Sequence, residues 1–244
     1  MFRHKGKART FKHNFRLAAF LSFIAGLVNI CGVLALGVLT TNVTGHFAYF
    51  AENIIKGNNL SGLYFLFYIL AFLLGSFVSS FLTEYFTAKG NESPHSPAMF
   101  LEIFLLVITG AAGGFLVNKG IALELLACTM LFTMGLQNSL VSKISNSAVR
   151  TTHLTGLFTD LGIEISQLFF YKEESQRKRL LNSIGLRGGI IAFFFLGCTV
   201  GGFLYLSIKF KTLIVAAIIL FIALIYDQLR IGYYKVRKRL KVPA

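Results

Sequence analysis

Six stretches of the chain are almost unbroken in apolar residues: 17–39, 62–86, 98–117, 121–140, 184–208 and 213–231. Each approaches or exceeds the ~20 residues that carry an α-helix across bilayer hydrocarbon. None contains a proline, so each predicts a continuous helix. Two shorter helical patterns lie between them. The first, about 45–56, carries His46, Glu52 and Asn53. At 1.5 Å per residue it covers roughly 18 Å of a ~30 Å core, too little to cross. The second, about 155–170, holds Asp160 and Glu164, which would be costly at mid-bilayer. The pattern predicts an all-α polytopic membrane protein with about six spans and a short re-entrant or interfacial helix in each half. If the short helices cross, the count becomes eight.

Breaks between the apolar runs divide the chain. The loop 87–97 holds Gly90, Asn91, Ser93, Pro94 and Pro97, and a tighter turn at 118–120 joins the two halves. Residues 1–16 form a basic N-terminal segment, 17–118 and 119–231 the two membrane halves, and 232–244 a basic tail. The first apolar run follows basic residues as a signal peptide would. It exceeds the usual ~7–15 residue apolar core and lacks a small-x-small cleavage site, and is read as a retained span.

The halves resemble each other. Residues 40–47 read TTNVTGHF and residues 151–158 read TTHLTGLF, identical at five of eight positions at an offset of 111. Upstream, Gly26-Leu27-Val28-Asn29 is answered at an offset of 109 by Gly135-Leu136-Gln137-Asn138, so the second copy holds two extra residues between the blocks. Each half then reads as span, short helix, span, span. Three crossings per half force the second half to be inverted relative to the first, an arrangement common in transporters.

Composition agrees with a lipid solvent. Fifty-five per cent of residues are hydrophobic, 26 are Phe and only 14% are charged, against about a quarter in soluble domains. The net charge of +14 raises nucleic acid as a partner, but the basic residues flank apolar runs as topology signals do. Arg3, Lys5, Lys7, Arg9, Lys12 and Arg16 precede the first span, and Arg230, Lys235, Arg237, Lys238, Arg239 and Lys241 follow or close the last. Both termini are therefore expected in the cytoplasm. Six spans place 19 Lys and Arg inside against 4 outside (Lys56, Lys119, Lys209 and Lys211), with Arg187 near the inner end of a span; eight spans give 18 against 5. Charge barely separates the two, and helix length favours six.

No phosphate loop, CxxC or HExxH pattern, or GxSxG elbow is present, and no cofactor, metal or enzymatic activity is expected. Cys31, Cys128 and Cys198 lie inside apolar runs and read as buried free thiols. The sequons at Asn42 and Asn91 read as chance matches. Glycines four apart, at Gly110 and Gly114, Gly185 and Gly189, and Gly197 and Gly201, read as helix-packing contacts.

What remains is a set of polar residues at repeat-related positions: Asn29 with Asn138, Thr41 with Thr152, Asn42 with His153, and Thr44 with Thr155. With Gly45, His46, Gln137 and Gly156 they form the candidate solute site. Thr44 and Thr155 each precede a Gly and a helical pattern, as N-caps do. Two half-helices starting there would aim their positive ends at a shared site near the midplane, where free amides could hold a polar or anionic solute. The bland alternative is that both motifs only cap helices. Glu52, Asp160 and Glu164, on the short helices, are candidates for ion or proton coupling if buried and merely solvated if interfacial. Glu84, Glu102 and Glu124 read as interfacial. His46 and His153 are either titratable gates or hydrogen-bonding partners of nearby polar groups.

The pair AGLVNICGVLALGVLTTNVTGHF and GLQNSLVSKISNSAVRTTHLTGLF resembles the YoaK-like family of bacterial membrane proteins, a domain of unknown function. The likeness covers nearly the whole chain, and residues 135–156 carry its more specific part. Asn29 stands where an acid is frequent in that family and His46 where Asn often follows the Gly. The resemblance implies an inner-membrane location and supplies no substrate. The expected function is a small secondary transporter of a polar or anionic solute, alternating access around the paired T-G segments. The alternatives are a channel-like or scaffolding bundle and, less favoured, a membrane-embedded enzyme acting on lipid. The expected partners are the lipid bilayer and an unidentified solute, with self-association open.

Overall fold

The computed structural model describes residues 10–240 except 92, 118, 119, 146 and 148, with side chains to residue 229. The basic residues at positions 3–9, the Asn118-Lys119 part of the turn between the halves, and the basic side chains from Arg230 onward lie outside the described set. Eight helices are described, α1 (Phe11–Leu36), α2 (Val43–Ile55), α3 (Asn59–Ala88), α4 (Ser96–Leu116), α5 (Ile121–Ser145), α6 (Leu154–Gln167), α7 (Glu174–Ile208) and α8 (Lys211–Leu240). Six of them, all but α2 and α6, are long and apolar enough to cross a membrane. At 13 and 14 residues, α2 and α6 are the short helices.

Element ends follow local chemistry. Gly37 closes α1 in the left-handed region at φ 68°, and the Gly37 and Val38 amides donate back to the Val33 and Gly32 carbonyls at 3.1 and 3.2 Å. The chain then folds over Gly32, where a Cβ would stand 2.4 Å from Thr40 Cγ2. α7 begins ten residues before the apolar run that predicts it, because Glu174 to Ser183 continue the helix beyond the apolar stretch as a polar, exposed first segment.

Long-helix packing pairs α1 with α7 and α3 with α5, sets α4 against α8 and α5, and lays α2 on α3 and α6 on α7. Glycines make the two main crossings. A Cβ on Gly26 of α1 would sit 2.1 Å from the Phe194 carbonyl oxygen of α7, and one on Gly197 would sit 2.0 Å from that of Phe23. The second crossing repeats the device: Gly135 of α5 lies against the Phe72 carbonyl of α3 at 2.1 Å, and Gly75 against that of Phe132 at 2.0 Å. The residues correspond, Gly26 with Gly135 and Phe23 with Phe132 at an offset of 109, Gly75 with Gly197 and Phe72 with Phe194 at 122. Even the bridging hydrogen bonds match, with Cys198 Sγ donating to the Gly26 carbonyl at 3.3 Å and Ser76 Oγ to that of Gly135 at 3.1 Å.

Of the glycines read as packing contacts, Gly110, Gly189, Gly197 and Gly201 are in close contact. Gly114 faces open space and Gly185 touches only Phe11, so helix rotation takes these two off the interface. The three cysteines are free; Cys31 is buried, while Cys128 and Cys198 are half-buried. Glu102 corrects the interfacial reading: it is fully buried, and neither carboxyl oxygen has a hydrogen-bond partner among the described residues. Its distance from the span end is small, but α4 packs laterally on α5 and α8, and that cover decides its exposure. Glu84 reaches Lys143 at 2.6 Å, and Glu124 accepts from Tyr68.

Candidate functional site

The two T-G segments meet at one cavity of about 1010 Å³. From the first half, Asn29, Thr41, Asn42, Thr44 and Gly45 line it. From the second come Asn138, Thr152, His153 and Thr155. Every polar pair matched by the repeat thus lines the same cavity. Phe72 and Phe194, whose carbonyls receive the two glycine crossings, also line it, as do the repeat partners Val43 and Leu154.

Each short helix begins at this cavity. Asn42, not Thr44, caps α2: its Oδ1 accepts from the Gly45 amide at 3.0 Å. The helix therefore starts two residues earlier than the Thr reading placed it, and Thr44 stands in the first turn. In α6 the corresponding cap position is His153, which makes no side-chain cap bond. Its ring instead folds over Gly156, where a Cβ would fall 2.5 Å from His153 Cε1; a Cβ on Gly45 would lie 3.0 Å from Asn42 Nδ2. Glycine at the third helical position leaves room for the cap residue to fold back, which accounts for the glycine of the T-G dipeptide in both halves. Asn42→Ala is expected to cost about 0.5–2 kcal/mol, read as a lower unfolding temperature in detergent, while Thr44→Ala stays near wild type.

Hydrogen bonding differs between the halves. Asn29 Oδ1 accepts from Thr41 Oγ1 at 3.1 Å and from Thr40 Oγ1 at 3.4 Å, clamping the first T-T segment to α1. In the second half, Asn138 Oδ1 and Thr151 Oγ1 are buried without a partner among the described residues. The loop there is held from another point, the Val149 amide donating to Ser145 Oγ at 3.0 Å. The two extra residues fall in this loop, where Ser147 takes a left-handed φ of 61°.

Several candidates lie elsewhere. His46 is buried between α2 and α3; its Nε2 donates to the Leu39 carbonyl at 2.8 Å and its ring packs against Phe65 and Tyr68. Burial holds this imidazole below the ordinary histidine range, and the bond to Leu39 opposes that in part. Gln137 is buried against α1, its Nε2 donating to the Leu21 carbonyl at 3.2 Å. Gly156 lies under the His153 ring, outside the lining residues. Glu52 is exposed and paired with Lys56 at 2.6 Å. Asp160 and Glu164 both bind Arg187 of α7, Asp160 at 3.1 Å. The second short helix is thus tied to its neighbour by ions, the first by aromatic rings, Tyr49 with Phe65 at 5.3 Å.

Sequence reasoning missed Ser142, Ser147 and Arg150, which also line the cavity. Arg150 directly precedes the second T-T pair, and in the sequence its charge is one of the 19 inside charges and reads as a topology signal. Phe72 and Phe194 carried no signal apart from their offset of 122, which differs from that of either polar block.

The family described as protein of unknown function (DUF1275) matches residues 17–226. The UPF0700 transmembrane protein YoaK of Bacillus subtilis (strain 168) is 25% identical over 185 residues, covering 75% of this chain and 80% of that protein. No solved structure matches the chain.

Proposed function

We propose a transport function, proceeding from the fact that this chain belongs to the DUF1275 family and is a multi-pass membrane protein. It is a secondary transporter of a small polar or anionic solute, not an enzyme. It resides in the cytoplasmic membrane, the inner one in a double-membrane cell, with both termini in the cytoplasm. The observation that carries the reading is the cavity: residue pairs set apart by the repeat, far from each other in sequence, line one space.

Three further features support it. With three crossings per half, the second half enters the membrane in the opposite sense. The pairing of α1 with α7 and α3 with α5 is what exchange of the halves about a two-fold axis in the membrane plane would produce. The short helices also expose apolar side chains, Phe47 and Ile55 on α2 and Phe158 and Ile163 on α6, which lipid would cover if the helices re-enter. Two half-helix N-termini then face the solute from opposite halves, and rocking one half against the other opens the cavity to each side in turn.

Impermeant thiol labelling in proteoliposomes tests this without knowing the solute. With Cys31, Cys128 and Cys198 replaced by serine or alanine, Thr41→Cys and Thr152→Cys should each be labelled from either face. Labelling from one face alone would overturn alternating access. Thr44→Ala, Thr155→Ala and Asn138→Ala should abolish solute movement while unfolding within about 0.5 kcal/mol of wild type for the two threonines. Neither threonine hydroxyl caps its helix, so a large stability loss would return these residues to a structural role.

A further inference from the structure

The chemistry of the cavity wall narrows the solute class, on the premise that the cavity is the transport site. Among the described residues, Arg150 is the one lining side chain with a fixed charge. No described Asp or Glu lines the space, and the other lining groups are amides, hydroxyls, His153 and apolar residues. Histidine is neutral or cationic, never anionic. The carboxylates closest in sequence to the T-G segments are engaged elsewhere, Glu52 with Lys56, and Asp160 and Glu164 with Arg187. Arg150 is exposed and has no acidic partner among the described residues.

The charge is unpaired in the repeat as well. At the offset of 111 that matches the T-G blocks, the counterpart of Arg150 is Leu39, and Leu39 lines the same cavity. Repeat-equivalent positions of the lining therefore present one guanidinium and one aliphatic side chain. When a carrier closes over its solute, lining groups lose water, and an arginine without a counter-charge becomes expensive to enclose. A monoanion supplies that counter-charge. A cation would meet both the guanidinium and two positive helix ends, and a dianion would set a second full charge against the partial charges of those ends alone.

The remaining wall points to an organic solute. Phe72 and Phe194 form a repeat-related aromatic pair, and Leu39 and Leu154 add aliphatic surface. A volume of about 1010 Å³ is of the order of pockets that hold whole organic molecules, far beyond a bare inorganic ion. We infer that the cavity between the T-G segments binds a small organic monocarboxylate, its carboxylate held by Arg150 and its carbon skeleton lying against Phe72 and Phe194.

The test uses the full chain in detergent, with unfolding temperature read against titrations of lactate, benzoate, benzamide, succinate, inorganic phosphate and choline. Lactate or benzoate should raise it, with benzamide and choline inert. Arg150→Gln, which leaves an exposed position neutral, should keep the probe-free unfolding temperature and weaken the monocarboxylate response by about tenfold to a hundredfold. Leu39→Arg adds a second cation at the repeat-equivalent position and should move the preference towards succinate. Equal responses to benzoate and benzamide, an unchanged response in Arg150→Gln, a wild-type preference for phosphate or succinate, or no response to either monocarboxylate would each overturn the inference. Counterflow in proteoliposomes separates this from the transport reading. Arg150-dependent binding without movement sinks transport and keeps the anion site. Asn138-dependent movement of neutral solutes keeps transport and sinks the anion site.

Discussion

Gly135→Val should leave little folded protein. A Cβ at this position would stand 2.1 Å from the Phe72 carbonyl oxygen and 3.1 Å from the Ser76 amide nitrogen, both backbone atoms of α3. No rotamer change relieves a clash with backbone, so α3 and α5 would have to separate by an ångström or more. That movement would also break the bond from Ser76 Oγ to the Gly135 carbonyl. Overpacking ordinarily costs about 1–3 kcal/mol, and with rigid atoms on both sides the cost is expected at or above the top of that range. Gly197→Val should behave alike at the other crossing, 2.0 Å from the Phe23 carbonyl. Gly114→Val is the control, because a Cβ there meets nothing within 4 Å. Unfolding temperature and monodispersity in detergent would show the contrast. Equal behaviour of Gly135→Val and Gly114→Val would refute close packing of α3 on α5.

Arg187→Met should destabilise the protein more than simultaneous neutralisation of the whole cluster. Arg187 lies on α7 and holds Asp160 through Nη2 at 3.1 Å, Glu164 through Nη1, and the Ser183 hydroxyl on its own helix. Glu164 is 14% exposed at its side chain, and one of its oxygens is buried without another partner among the described residues. Removing the guanidinium alone leaves that carboxylate enclosed and unpaired. Asp160, half exposed, is screened by solvent and contributes less. The expected loss is about 1–3 kcal/mol. The triple variant Asp160→Asn, Glu164→Gln, Arg187→Met leaves no charge behind and should recover much of it. A triple variant no more stable than Arg187→Met would show that the arginine acts through its packing and not through its charge.

The pairing also bears on coupling. Carboxylates on a short helix invite the reading of a free proton or cation site, yet Asp160 and Glu164 are bound to the Arg187 guanidinium of the next helix, α7. The equivalent contact in the first half is Tyr49 against Phe65, at offsets of 111 from Asp160 and 122 from Arg187. The same mechanical joint is therefore ionic in one half and aromatic in the other. If the halves rock, the two joints respond differently to salt: the ionic one weakens as ionic strength rises, the aromatic one does not.

Much of the architecture was legible from the chain alone, for a physical reason. A bilayer removes alternatives to the helix, so apolar run length translates directly into spans, and the six long helices fall on the six runs. The repeat was legible too, because a helix start that needs Asn42 or His153 folded over a glycine admits few sequences. That same local demand disguised the cap: Thr44 and Thr155 look like caps, while the hydrogen bond is made two residues earlier in α2.

Convergence of the polar pairs on one cavity is an expectation that rests on assumed inversion, and only helix packing brings Asn29 and Asn138 to the same cavity. Facing direction was not legible at all. His46 and Gln137 sit beside lining residues in sequence but turn into helix interfaces, whereas Phe72 and Phe194 line the cavity. Neighbouring residues on a helix point about 100° apart, so which one meets the cavity is set by the rotation of the helix against its partner. In a membrane helix apolar on every side, hydropathy carries no record of that rotation. The backbone contacts at Gly26, Gly75, Gly135 and Gly197 set it, and they exist only once both partners are in place.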